Sequence, residues 1–165
     1  HSRYARRGQR ITAPLRKAVE VSASPDRALA FFTARMGRWW RPDHSLLDGL
    51  PRADVVVEPR VGGRWYERAT DGSECNWGKV LEWEPPGRVV LAWQLDADWR
   101  YDPDLITELE IRFVAVAESR TRVELEHRKL ENFGVRAEEI RAALDSYNAW
   151  QGGLERFAEL ADREA

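Results

Sequence analysis

Between residues 51 and 130 the chain alternates apolar and polar side chains in six successive stretches, at 53–58, 63–70, 74–84, 88–95, 105–116 and 120–130. A period of two is the signature of a strand with one buried face. The joints are tight-turn signals, Val61-Gly62-Gly63, Asp71-Gly72, Pro85-Pro86-Gly87 and Glu118-Ser119, placed where an antiparallel meander has to reverse. One joint is long, 96–104, and carries Trp99 and Tyr101, which suits the rim of a pocket. A further alternating stretch at 15–22, with Val19 and Val21 against Glu20, supplies a seventh strand.

Such a sheet needs one face covered. Ser24-Pro25-Asp26 offers an N-cap, a proline at the first helical turn and an acid at the positive helix end. The helix it starts is expected to run to about Arg35, with Ala28, Leu29, Phe32 and Met36 on one stripe and Gly37 closing it. Residues 39–50 read as a short helix or ordered loop. The one element long enough to span the sheet is 135–163, where Ile140, Leu144, Tyr147, Trp150, Leu154, Phe157 and Ala161 recur at steps of three or four. Gly152-Gly153 in its middle costs about 1 kcal/mol per glycine relative to alanine, which close packing or a kink would explain. The expected fold is therefore α+β: a curved seven-stranded antiparallel sheet wrapped around a long C-terminal helix, with one or two short helices after the first strand, and a cavity between helix and sheet.

A chain of 165 residues is expected to be one domain, here 15–165. Residues 1–14 read as a flexible basic arm with Arg3, Arg6, Arg7 and Arg10, and because the sequence starts His1-Ser2 an expression remnant is one expected source of part of it. The formal charge is −2 and the charges are interspersed, so nucleic acid is not an expected partner. No apolar run reaches the roughly 20 residues of a membrane span, and a cytoplasmic location is expected. Cys75 is the single cysteine, which rules out an internal disulfide and a thiolate metal cluster.

These segments resemble a known family. The pieces that carry the resemblance are Phe31-Phe32, Trp39-Trp40 followed by His44-Ser45, Gly62-Gly63-Arg64-Trp65-Tyr66-Glu67, Asp71-Gly72, Trp77-Gly78-Lys79-Val80 and Glu84-Pro85-Pro86. Thr121 to His127 and Trp150 ahead of Leu154 complete them. In this order they are similar to the SRPBCC superfamily, the helix-grip fold shared by Bet v-like proteins and START domains. Within it they resemble the C-terminal domain of activators of the ninety-kilodalton heat-shock protein's ATPase. The resemblance covers nearly the whole chain after Pro14 and implies a ligand cavity whose contents differ between members. The N-terminal domain of the full cochaperones has no counterpart in this sequence, so a chaperone is not the expected partner, and a homodimer is compatible with the fold.

Eight tryptophans in such a chain suggest a lined cavity, because an indole combines a large apolar surface with one N–H that needs a partner when buried. Trp39, Trp40, Trp65, Trp77, Trp93, Trp99, Tyr147 and Trp150 are the candidate walls. His127 shares a strand face with Val123 and Leu125 and so points inward, either as a polar or proton-moving group for a ligand or as a hydrogen-bonded core histidine. Glu67 shares parity with Trp65 and Ala69, which makes it either the partner of a buried cation or a functional carboxylate. His44 is placed near the cavity mouth. His44, Glu67 and His127 come from distant segments without ligand spacing, so no metal or other cofactor is expected. Ser45 lacks a nucleophile elbow. Gly62, Gly63 and Gly87 are turn residues, since strands rather than a helix follow them. The leading expectation is binding of a small apolar or aromatic molecule without catalysis. The alternatives are a polyketide cyclase or aromatase type of enzyme using His127 or Glu67, and a protein-interaction module whose outer sheet presents Arg64, Arg68 and Glu110.

Overall fold

The computed structural model describes residues 11–165, so the basic segment 1–10 lies outside the described residues. The strands are β1 (Leu15–Val21), β2 (Arg52–Val57), β3 (Arg64–Ala69), β4 (Glu74–Glu84), β5 (Arg88–Trp93), β6 (Thr107–Ala117) and β7 (Arg120–Arg128). All are antiparallel in one sheet of order β1-β7-β6-β5-β4-β3-β2. Strands β2 to β7 thus form an uninterrupted meander, as the turn spacing predicts, and β1 closes the far edge with Leu15 opposite His127. The chain crosses between the two edges through α1 (Pro25–Ala34), α2 (Met36–Trp39) and a 3-10 turn (Pro42–His44).

Register shifts bend the sheet. They fall at Arg52/Asp54 on β2, beside Trp77 on β4, between Val80 and Glu82, and at Ala115/Ala117 on β6, and an extra residue in one strand adds local twist and curvature. Gly78 sits next to the shift at Trp77, and a Cβ there would lie 1.7 Å from the Ala92 carbonyl oxygen. Only glycine lets β5 approach so closely.

On the concave side, Phe32 of α1 packs against Phe113 and Phe157 at ring-centroid distances of 5.9 and 5.2 Å. The C-terminal helical segment is present, and the structure divides it. A 3-10 turn (Leu130–Arg136) leads to α3 (Ala137–Asp145), an irregular π-type turn (Tyr147–Gln151) and α4 (Gly152–Glu164). Ser146 is extended and Ala149 has φ −106° and ψ −119°, so the helical path breaks there. The break explains the first glycine of the pair: a Cβ on Gly152 would meet the Tyr147 carbonyl oxygen at 2.5 Å, whereas one on Gly153 would meet only the Trp39 ring at 3.9 Å. It also turns Tyr147 away from the apolar face, leaving it 63% exposed with its hydroxyl donating to Glu155 at 2.7 Å.

The convex face carries ion pairs. Burial would raise the Glu110 carboxyl, but hydrogen bonds from Arg88 and Arg128 outweigh it and hold it below its ordinary range. Arg112 adds a contact at 2.8 Å. Arg64 pairs with Glu74 at 2.9 Å, and Arg68 approaches Asp54 at 4.0 Å. The outer charges are thus engaged within the chain. Among the described residues no helix is long and apolar enough to cross a membrane.

Candidate functional site

Where the sheet curls under the helix break, a cavity of about 390 Å³ opens. Four parts of the chain build its wall. The end of α2 and the segment after it supply Trp39, Trp40, Arg41, Asp43, His44, Ser45 and Leu46. Strands β4 and β5 supply Trp77 and Trp93, and the long joint after β5 supplies Leu95 and Trp99. The end of α3 and the break supply Leu144, Ser146, Asn148 and Trp150, and Gly153 of α4 closes the ring. The rings form a continuous cluster, with centroids 4.9 Å apart for Trp40 and Trp77, 5.6 Å for Trp40 and Trp150, and 6.3 Å for Trp93 and Trp99. Trp99 is 42% exposed and sits at the mouth with φ +62°.

Seven sequence candidates therefore meet at the cavity: Trp39, Trp40, His44, Trp77, Trp93, Trp99 and Trp150. Trp65 stands behind the wall, 5.6 Å from Trp77, and its N–H donates to Met36 Sδ at 3.2 Å. Tyr147 lies outside it. Arg41, Asp43, Leu46, Leu95, Asn148 and Gly153 were not legible as lining residues. Their only sequence signal is proximity to candidate aromatics or to the glycine pair, and which way each faces depends on loop and break geometry.

His127 is fully buried and does not line the cavity. Trp150 Nε1, which can only donate, bonds His127 Nδ1 at 3.2 Å. The ring proton therefore belongs on Nε2, which faces Thr107 Oγ1 at 2.8 Å, while the Thr107 hydroxyl donates to the Trp93 carbonyl at 3.1 Å. Each polar atom in this Trp150–His127–Thr107 series has its partner, and burial pushes the imidazole pKa down to about 3. His127 is thus a neutral strut that fixes the Trp150 and Trp93 walls.

Glu67 is also fully buried and set behind the wall. Its Oε1 accepts the Leu46 N–H at 2.9 Å, and its Oε2 lies 3.8 Å from Arg52 Nη1. Arg52 donates in turn to the Arg41 carbonyl at 3.0 Å and to the Trp40 carbonyl. The buried pair clamps segment 40–46 onto β2 and β3 and so shapes one lip of the cavity.

His44 differs from both. It is half-buried on the lining; burial lowers its pKa, Asp43 opposes that shift, and Arg41 and Arg52 add to it. Its imidazole can take a proton at neutral pH while facing the cavity. Among the described residues no three His, Cys, Asp or Glu side chains gather as metal ligands.

The indole N–H groups complete the electrostatic picture. Trp39 donates to the Phe32 carbonyl at 3.1 Å. Trp40 and Trp77 have their Nε1 atoms shut away with no hydrogen-bond partner, a state that costs about 1–3 kcal/mol per group.

Comparison with known proteins follows this geometry. The model of a family described as activator of Hsp90 ATPase homolog 1-like protein matches residues 22–162. Among solved structures, the anthrahydroquino-γ-pyrone synthase Txn09 shares 40% identity with a TM-score of 0.64, over 91% of this chain and 97% of that one. CalC, a self-sacrificing resistance protein from Micromonospora echinospora, shares 28% identity with a TM-score of 0.66, over 92% and 96%. The Aha1 dimer from Colwellia psychrerythraea, at 16% identity, TM-score 0.62 and coverage of 92% and 98%, shares the fold. No curated protein matches the chain.

Proposed function

Because the chain belongs to the activator of Hsp90 ATPase homolog 1-like family, on the helix-grip fold of the SRPBCC superfamily, we propose that it binds a flat aromatic molecule in the cavity beneath its helix break. The observation that carries this reading is the lining itself. A space of about 390 Å³ falls within the roughly 300–1,000 Å³ of small-molecule sites, and its wall is built from indole faces. Flat rings slot against such faces edge-on or offset, adding about 0.5–1.5 kcal/mol per ring pair beyond area burial. The 40% identity to a synthase of aromatic pyrones points to the same ligand class. Titration with three-ring aromatics should give saturable quenching of tryptophan fluorescence with one site per chain. A flat response across the panel would sink the proposal.

A second reading, catalysis of a ring closure on such a ligand, is favoured by the same relative and by the position of His44. His127 and Glu67 stand behind the wall, His127 bonded to Trp150 and Thr107, and Glu67 bonded to the Leu46 N–H with Arg52 3.8 Å away. His44 lines the cavity, so in this reading it takes the proton of a phenol whose oxygen adds to the conjugated C=C of a ketone on the same ligand. The C=C π bond breaks to an enolate, the imidazolium returns the proton to its carbon, and Asp43 beside it favours the imidazolium. A positioned base contributes about 10²–10⁴-fold. With an aromatic polyketide precursor as substrate, His44→Gln should lower turnover by at least the smaller factor and leave binding within about threefold. Equal turnover in the variant would remove His44 from the chemistry.

A further inference from the structure

Among the described residues Trp99 is the one aromatic with a positive φ, at +62°, a genuine outlier for so bulky a side chain. It ends the three-residue tip 97–99 of the joint after β5, a place that hairpin chemistry ordinarily gives to glycine. The tip's own bonds do not call for an indole. Asp96 fixes them: its N–H donates to the Arg100 carbonyl at 2.8 Å and its carbonyl accepts the Trp99 N–H at 2.9 Å. Its Oδ1 accepts the N–H groups of Asp98 and Arg100 at 2.9 and 3.0 Å. Core packing does not call for an indole either. The residue is 42% exposed, and its one ring contact among the described residues is Trp93, 6.3 Å away at 76°. Residues held against their backbone preference cluster where a ligand is gripped, and this one lines the cavity at its mouth.

We propose that Trp99 is the specificity-determining residue of the mouth: its turn holds the indole where it closes on the outer ring of a flat ligand and turns away molecules of like size whose rings are twisted. This rests on the reading of the cavity as a site for flat aromatics and adds the residue that enforces flatness. The planes of Trp93 and Trp99 stand nearly at right angles. A planar ligand lies along one face of that corner and presents its edge to the other, both favourable ring geometries. Two rings twisted out of a common plane cannot keep either contact along their length. The corner is also braced. Leu95 bridges Tyr101 at the base of the tip, and the Asp98 carboxylate accepts from Arg136 Nη1 at 2.8 Å, tying the tip to the turn ahead of α3. The indole thus meets the ligand already placed, and little freedom is lost on binding.

Benzophenone is fluorenone without the bond that joins its two benzene rings, so it keeps the carbonyl and both rings and loses flatness. The unaltered protein should prefer fluorenone. Glycine adopts this φ without strain, so Trp99→Gly removes the ring while the tip keeps its path, and the preference should shrink about two- to thirteenfold, the worth of one ring pair. Trp99→Phe keeps a ring at the same backbone position and should hold the preference within about twofold of the unaltered protein. In a ¹⁵N-labelled sample the indole signal of Trp99, assigned by its loss in Trp99→Phe, should move on binding fluorenone. If Trp99→Gly fails to fold, that signal decides. Equal affinities for the two ligands in the unaltered protein, a preference unchanged in Trp99→Gly, or an unmoved Trp99 signal at saturating fluorenone each overturn the role of Trp99 and leave the cavity reading intact, because fluorenone is still bound. Binding of neither ligand to the unaltered protein overturns both.

Discussion

A histidine can be drawn into a cavity by strand parity and still be chemically silent, and His127 shows how. Its two ring nitrogens are engaged in one direction, taking from Trp150 and giving to Thr107. Protonating Nδ1 would set two donors against each other inside a fully buried site. The native pKa of about 3 lies below the ordinary value near 6.5, so the unfolded chain binds the extra proton first. Stability is then independent of this group above pH 6.5 and is lost as pH falls from there toward 3. Between pH 7.5 and 5.0 this one residue should remove about 2 kcal/mol. Urea denaturation of the unaltered protein and of His127→Gln checks it, since glutamine offers an acceptor and a donor and does not titrate. The variant should lose about 2 kcal/mol less across that interval, and parallel losses would show that His127 is protonated in the native state. His44 and the carboxylates titrate in both proteins and cancel.

The helix break shows why some elements were legible in the sequence and others were not. Strands β2 to β7 followed from period-two alternation between turn residues, because the sheet's buried face and its reversals are written locally. The C-terminal segment has helical periodicity throughout, yet Ser146 and Ala149 leave the helical region, and no proline marks the place. What marks it is Gly152, whose missing Cβ makes room for the Tyr147 carbonyl. The wall positions Asn148 and Gly153, and the exclusion of Tyr147, depend on that break. Alanine substitutions separate the two glycines. Helix propensity alone favours alanine at either position by about 1 kcal/mol. Gly153→Ala meets only the Trp39 ring at 3.9 Å and should gain up to about that amount. Gly152→Ala must displace a backbone carbonyl and should lose about 1–3 kcal/mol. Thermal unfolding of the two variants reads the difference, and a stabilised Gly152→Ala would mean that the break is not enforced by this contact.

At the scale of the molecule, the sheet's curl and the broken helix leave unfilled space in a chain whose remaining core is closely packed, from Phe32 and Phe157 to Leu125 and Ile111. An empty space lined by rings forgoes dispersion contacts that a packed core would make, and orphaned N–H groups add to the deficit. If the cavity is the binding site proposed above, the protein carries that site as a defect, and filling it should stabilise the fold by one of two routes. A ligand at a hundred times its dissociation constant adds about 2.7 kcal/mol, which for a chain of this length raises the melting temperature by about 5–10 °C. A side chain can do the same from within. Leu95 is 3% exposed and lines the cavity, so Leu95→Phe would place a ring where the ligand's ring goes. The two routes exclude one another. Fluorenone should raise the melting temperature of the unaltered protein, whereas Leu95→Phe should unfold at least as high as the unaltered protein without ligand and respond to fluorenone by less than about 2 °C. A variant that keeps the full ligand response would place the aromatic site elsewhere than against Leu95, and one that unfolds early would show that the space is filled in solution by packing rather than held open for a ligand.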